Sequence, residues 1–272
     1  MPGSRRSLPG RRECTHRGGS FESEGRSRKA QVHRRADPYT AAVPTFSIVI
    51  PVYNEADFIP VGLTRLMADL DAASLDYRIL IMENGSTDAT AEVARAVGRE
   101  KAVEVHELAT PDYGAAMREG FLRGEGDWVV NFDIDYFSAS FLLQVLERAE
   151  AADLIIASKR DPASEDRRSL LRRTATGVFN LLLRSMFRSS VSDTHGMKAF
   201  RRDLVTDVVP DVVSRQDLFD TELVIRAERC GYRIAEVPVV VEEMRPARSL
   251  IKRVPRTLKG LWEIRRVLAG DG

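Results

Sequence analysis

Two cysteines, Cys14 and Cys230, are all that 272 residues contain, so there is no disulfide framework to read. One lies in a polar stretch and the other in a helix-like stretch. A structural disulfide is not expected from them, and a reducing compartment fits. Long apolar runs are missing too. The most apolar stretch, Val178 to Leu183, is interrupted by Asn180 and ends at Arg184, far short of the roughly 18 residues that a bilayer-spanning helix needs. The first 30 residues carry no apolar segment, which argues against a secretory signal. Charge of one sign is also lacking: Lys plus Arg is 41 and Asp plus Glu is 40, so bulk charge points to no partner. Neither Gly-x-Gly-x-x-Gly nor Gly-x-x-x-x-Gly-Lys follows an apolar strand, so a dinucleotide enzyme or a P-loop NTPase lacks its usual mark.

What is present is uneven. Residues 1–43 hold ten Lys/Arg and four Asp/Glu, and residues 245–272 hold eight and two. Basic ends around an acidic middle point to an anionic partner, such as a membrane surface or nucleic acid. The middle shows neither a recognition helix nor an aromatic stacking sheet, so specific nucleic-acid binding is not expected. Residues 1–43, rich in Arg, Gly and Ser, read as a disordered tail. Residues 44–243 read as one catalytic-sized domain, and residues 244–272 as a basic amphipathic segment.

Within 44–243, apolar runs alternate with helical periodicity. Strands are expected at Phe46–Ile50, Tyr77–Met82, Ala102–Leu108, Trp128–Phe132 and Asp153–Ala157. Helices are expected at Glu55–Ala72 with Asn54 as cap, from Thr87 to Val97, at Tyr113–Leu122 and from Ser138 to Ala149. That order predicts an α/β fold, with a mostly parallel open sheet flanked by helices. Further on, a long amphipathic helix is expected at Leu170–Phe187, a strand at Met197–Phe200, a helix at Leu218–Cys230, a strand at Tyr232–Val241 and a last helix over 249–268.

Three segments at strand ends carry candidate chemistry. Asp133-Ile134-Asp135 follows an apolar strand, where open α/β sheets bind ligands. A turn there brings two carboxylates towards one ion, and Mg²⁺ or Mn²⁺ accepts such ligands together with diphosphate oxygens. Pro51-Val52-Tyr53-Asn54-Glu55 follows the first strand, with Tyr53 placed to stack on a base and Glu55 to accept hydrogen bonds from base or ribose. Glu83-Asn84-Gly85-Ser86-Thr87-Asp88 follows the second, where Glu83 or Asp88 is a candidate nucleoside partner and Gly85 permits a tight backbone.

Taken in order, these segments resemble the inverting family 2 glycosyltransferases of the GT-A fold. Pro51, Tyr53, Asn54 and Glu55 match one motif of that family. Glu83 to Asp88 with Thr90 match a second, and Gly114 to Gly120 resemble the helix that follows. Asp133 and Asp135 fill the family's metal motif. The second half resembles the polyprenyl-phosphate sugar synthases, including the dolichyl-phosphate mannose type, through Arg172, Arg173, Thr176 and Asn180; through Asp193, Gly196, Lys198 and Phe200; and through Phe219 to Leu223. Departures are Glu83 for the usual first Asp, Pro111-Asp112-Tyr113 before Gly114, His195 near Gly196, and Tyr136-Phe137 after the acid pair.

The resemblance implies hexose transfer from a nucleotide diphosphate-sugar, GDP-mannose or UDP-glucose, to a polyprenyl phosphate whose own oxygen attacks. Mg²⁺ or Mn²⁺ would sit at Asp133 and Asp135. Pro51, Tyr53, Glu55, Glu83, Asp88 and Gly114 would line the donor site. Arg172 and Arg173 would take the acceptor phosphate, Arg245 the donor diphosphate, and Asp193 a place in the sugar pocket with Asp220 and Glu222. A cytoplasmic enzyme is expected, with the two amphipathic helices at Leu170–Phe187 and 250–268 resting peripherally on an anionic membrane. Transfer to a soluble hydroxyl, a glycan or a secondary metabolite, with a carboxylate as base, is the alternative. A silent nucleotide-sugar-binding scaffold is another. Oligomeric state is not legible.

Overall fold

Alternating apolar strands and amphipathic helices must cover both faces of any sheet they form, and the chain solves this with one seven-stranded sheet. The computed structural model describes residues 44–98, 102–158, 165–166, 170–187, 189, 191, 196–214, 218–241 and 254–270. The strands are β1 (Phe46–Val52), β2 (Tyr77–Glu83), β3 (Val103–Glu107), β4 (Trp128–Asn131), β5 (Leu154–Ser158), β6 (Glu165–Asp166), β7 (Lys198–Arg201), β8 (Ile234–Pro238) and β9 (Val240–Val241). The helices are α1 (Ile59–Ala72), α2 (Thr90–Gly98), α3 (Tyr113–Arg123), α4 (Ala139–Arg148), α5 (Leu170–Phe187), α6 (Arg202–Val208), α7 (Phe219–Arg229) and α8 (Val254–Gly270). The main sheet runs β3-β2-β1-β4-β7-β5-β8, while β6 and β9 pair separately. All its pairings are parallel except those of β7, which lies antiparallel between β4 and β5. This is the expected α/β architecture.

Each face has its own core. Ile48, Ile50, Ile79, Ile81, Val130 and Phe132 pack under α1 and α4. Val49, Leu80, Met82, Val129, Ile156 and Phe200 pack under α3, α6 and α7. Near-continuous apolar strands such as FSIVIPV are what a sheet covered on both sides requires. On the second face Phe121 of α3 lies 5.3 Å from the Phe200 ring and 5.7 Å from the Phe219 ring, locking α3 to β7 and α7. Gly120 lets α3 close on the sheet, since a Cβ there would stand 2.4 Å from Val49.

Several boundaries differ from the sequence expectation for local reasons. Pro51 does not end β1, which continues to Val52. Val49 O accepts from Phe132 N, and Pro51, two residues on, faces the same side beyond the last rung shared with β4. Its missing N–H therefore breaks no ladder bond. Helix α1 starts at Ile59 rather than Glu55, with Pro60 in its first turn, a position where the absent N–H is tolerated. The short α6 was not foreseen. Cys230 is the C-cap residue of α7, and Cys14 lies outside the described residues, so the expectation about their pairing lies there too.

The C-terminal α8 is not laid open. Leu261, Ile264 and Leu268 are buried with Leu183 and Phe187 of α5 and Leu218 and Ile225 near and on α7. Gly260 allows the close approach, because a Cβ there would meet Leu218 at 2.4 Å. The two amphipathic helices read as a membrane-contacting pair thus bury part of their apolar surface against the protein, while Val178, Leu181, Leu258 and Trp262 stay exposed. Among the described residues no helix is long and apolar enough to cross a membrane.

Phe121→Ala removes the ring that joins α3, β7 and α7. Deleting such a buried aromatic costs about 3–5 kcal/mol. Urea unfolding should show a loss of that size, and a loss below about 1 kcal/mol would show the three-ring contact to be dispensable.

Candidate active site

The strand order reverses at β1: the chain builds β2 and β3 on one side, then returns to place β4 on the other. Such a switch point opens a crevice beyond the carboxyl ends of the two strands. The segments flanking it are those after β1 and β4, with the β2 loop alongside.

The β1 and β2 loops are stapled together. Asn54 adopts a left-handed backbone, φ 53°, a conformation that asparagine tolerates better than most residues. Its N–H donates to Ser86 Oγ at 2.9 Å, and its Oδ1 accepts from Thr87 N at 2.8 Å. Glu55 N donates to Thr90 Oγ1 at 2.9 Å and Ala56 N to Asp88 Oδ2 at 3.2 Å. Asp88 Oδ1 accepts from Thr90 N at 3.0 Å and from the Thr90 hydroxyl. Buried Glu83 accepts from Ser86 N at 2.5 Å. Gly85, at φ 69°, turns the loop tightly against Pro111. Asn54 is therefore no helix cap, and Asp88 and Glu83, read as nucleoside partners, commit oxygens to holding the loops. Tyr53 is left 39% exposed at the rim. Gly114, in the first turn of α3, is buried.

Asp133 and Asp135 lie in a closed turn just past β4. Asp133 and Tyr136 exchange backbone hydrogen bonds, 3.2 Å and 3.1 Å. Ile134 points into the core at 3% exposure, leaving Asp133 exposed and Asp135 half-buried. Helix α1 backs this turn: a Cβ on Gly62 would stand 2.6 Å from Ile134 O. Among the described residues no three His, Cys, Asp or Glu side chains gather around one point. Two carboxylates alone still fit a hard divalent ion that takes its other ligands from diphosphate oxygens and water.

Below this turn lies a polar cluster that the sequence only partly disclosed. Asn131 and Lys198 oppose each other across β4 and β7, on the face of Val129 and Phe200. Asp220, in the first turn of α7, and Tyr113, which opens α3, close over them. Tyr113 donates its hydroxyl to Asp220 Oδ2 at 3.0 Å, and Asn131 Nδ2 donates to Asp220 Oδ1 at 3.3 Å. Lys198, with no exposed surface, has its Nζ 3.8 Å from Asp220 Oδ2 and donates to Gly196 O at 2.8 Å. Burial first, then the charges of Asp220 and Asp133, pushes the Tyr113 phenol well above its ordinary range. Asn131 escaped sequence reading because it sits inside an apolar strand. A polar residue two before an acidic pair was the available signal.

Glu222 has a different task. Fully buried, it accepts from Val213 N at 3.2 Å, Ser214 N at 2.7 Å and Arg226 Nε at 2.6 Å, anchoring the segment before α7. It is thereby occupied, and does not shape a sugar pocket as its sequence position had implied. Arg172 and Arg173 stand in the first turn of α5. Asp193, His195 and Arg245 lie outside the described residues.

The fold and this crevice define a nucleotide-sugar type of α/β transferase. Residues 47–209 match the profile of Glycosyl transferase family 2, and the chain belongs to that family of glycosyltransferases. It is 31% identical over 216 residues to glycosyltransferase AglD of Haloferax volcanii, covering 76% of this chain but only 34% of that protein. The chain thus spans about a third of that relative. An uncharacterized glycosyltransferase of Mycobacterium tuberculosis is 29% identical over 194 residues, covering 71% of this chain and 83% of its own. Among solved structures, glucosyl-3-phosphoglycerate synthase from Mycobacterium tuberculosis with Mn²⁺, UDP and phosphoglyceric acid superposes with TM-score 0.60 at 19% identity, covering 84% of this chain and 78% of that one. The same enzyme with Mn²⁺, UDP-glucose and glycerol 3-phosphate gives 0.58 at 20%, covering 84% and 80%. At such identity the likeness establishes the fold.

These comparisons correct the finer expectation. The acceptors held by those neighbours are soluble phosphorylated metabolites, and the donor is UDP-glucose. That overturns the resemblance to polyprenyl-phosphate mannose synthases, and with it the polyprenyl phosphate acceptor, the mannosyl donor and the anionic membrane surface as a partner.

Two outcomes test the site's construction. Gly62→Ala should displace the Asp133–Asp135 turn, costing about 1–3 kcal/mol in overpacking and lowering transferase rate. An alanine variant as stable and active as the parent would show that α1 does not set the turn. The Asp88 carboxyl is held below its ordinary range, first by the Thr90 hydroxyl, then by Ala56 and Thr90 N–H groups. A depressed acid stabilises above its unfolded pKa and loses that contribution as pH falls through the folded value. Protection of the Ala56 and Thr90 amides, corrected for the intrinsic pH dependence of exchange, should therefore fall only below the ordinary aspartate range, and a fall near neutral pH would contradict the staple.

Proposed function

We propose that the chain transfers a hexose from a nucleotide diphosphate-sugar to a hydroxyl of a soluble phosphorylated metabolite. The observation that carries this reading is the meeting, at one sheet end, of the Asp133–Asp135 turn, the stapled β1 and β2 loops, and the buried Asp220 cluster. The solved neighbours support the substrate class, since they hold Mn²⁺, UDP-glucose and three-carbon phosphates.

Asp133 and Asp135 would hold the divalent ion, Mn²⁺ by preference; bound there, it neutralises charge on the departing nucleoside diphosphate. Tyr53 offers its ring to the base at the rim. Arg172 and Arg173 take the acceptor's phosphate, a task suited to the guanidinium fork. A neutral hydroxyl needs a proton acceptor, which an ionised lipid phosphate would not have needed. Glu222 is fully occupied, so Asp220 takes that role. The acceptor oxygen bonds to the anomeric carbon as the sugar–diphosphate bond breaks. The hydroxyl proton passes to Asp220, and the bonding pair leaves with the nucleoside diphosphate. Direct displacement of this kind inverts the anomeric centre.

A donor-by-acceptor panel, with Mn²⁺ and with chelator, read by mass spectrometry, tests the proposal. UDP-glucose with 3-phosphoglycerate or glycerol 3-phosphate should give a glucosylated phosphate, and Asp135→Ala should lower turnover about 100-fold or more. Arg172→Ala should raise acceptor KM about 10-fold while leaving donor KM unchanged. Absence of product across the panel, or full turnover of Asp135→Ala in chelator, would overturn the proposal.

A further inference from the structure

The Asp220 carboxylate is held from three directions by three elements. Its Oδ2 accepts from Tyr113 on α3 at 3.0 Å and faces the Lys198 ammonium on β7 at 3.8 Å. Its Oδ1 accepts from Asn131 on β4 at 3.3 Å. Each oxygen thus accepts one of these hydrogen bonds, and the two differ in that the Lys198 ammonium, beyond hydrogen-bonding distance, stands beside Oδ2. Rotating the group would break the Tyr113 and Asn131 bonds together. It would also move the charge away from Lys198, which is fully buried and donates to Gly196 O.

We propose that Tyr113 is a positioning residue: its hydroxyl fixes Asp220 so that Oδ1, and not Oδ2, receives the proton of the acceptor hydroxyl. The proposal rests on the reading of Asp220 as the proton acceptor. An apolar closure of the α3–α7 core would pack as well as this cluster and avoid burying a charge pair. Four polar residues stand instead where the core meets the Asp133 turn. Tyr113 suits the task because a phenol can donate to the carboxylate while accepting from Asn131 Nδ2, here at 3.4 Å. Its protonated form is favoured by burial and by the neighbouring carboxylates, so the donor does not switch off across the working pH range. The sequence shows Tyr113 only as a departure before Gly114. The structure gives that departure a partner.

The test uses the full chain with UDP-glucose, Mn²⁺ and 3-phosphoglycerate, and the variants Tyr113→Phe, Asp220→Asn and the two combined. Tyr113→Phe should lower kcat about 10-fold, a part of the range that positioned acid–base groups contribute, with KM for UDP-glucose within about twofold. In the Asp220→Asn background the same change should alter the residual rate by less than about twofold, since groups acting through one another are not additive. An unchanged kcat in Tyr113→Phe overturns the proposal. So does an equal loss in both backgrounds, which marks ordinary packing of α3. Undiminished turnover by Asp220→Asn overturns the underlying reading of Asp220, as does silence of the unaltered chain with this substrate pair, and the proposal falls with it.

Discussion

A lysine and an aspartate are buried together between the sheet and two helices, and their pairing constrains how those elements close. Lys198 has no exposed surface, and Asp220 lies 3.8 Å away. Each taken alone from water would cost several kcal/mol, and removing one partner strands the other. The pair holds only because Asn131, Tyr113 and the carbonyl of Gly196 complete its hydrogen bonding. Satisfying it fixes α3 and α7 against the end of the sheet beside Asp133. The core beneath, with Phe121 against Phe200 and Phe219, then has one way to close.

The other side of the crevice is built by a different principle. There the backbone donors of Asn54, Glu55 and Ala56 are met by side chains of the β2 loop. Ser86, Asp88 and Thr90 do for this loop what a helix cap does for a helix end. This explains why α1 begins four residues later than periodicity indicates. It also explains why acidic residues that look like ligand contacts are partly occupied by the protein itself. Two rigid walls, one ionic and buried, one hydrogen-bonded at the surface, flank a turn whose backbone α1 touches at Gly62. Such preorganisation suits a reaction in which orientation and charge placement supply most of the rate.

The change of acceptor class follows from the solved enzymes and not from packing, which leaves Val178, Leu181, Leu258 and Trp262 exposed. An amphipathic helix in isolation reads equally as interfacial or as core. Leu261, Ile264 and Leu268 are core because α5 and α7 cover them. The acceptor's chemistry changes with that correction. A lipid phosphate brings its own charged nucleophile, whereas a metabolite hydroxyl requires a carboxylate, which turns attention from the arginines of α5 to Asp220.

The α/β class was legible because strands buried on both faces must be apolar throughout and helices between them must be striped. The place of Asp133 and Asp135 was legible because they directly follow such a strand, where open α/β sheets form their crevice. The sequence by itself therefore determined the layer architecture and the position of the candidate metal turn, both consequences of local periodicity. Only the tertiary structure decided that Asn54 is a staple, that Glu222 anchors a loop, and that Asp220, Tyr113, Asn131 and Lys198 belong together. Those roles depend on which groups meet across α3, β4, β7 and α7. Contacts between residues dozens of positions apart leave no period in the chain that could announce them.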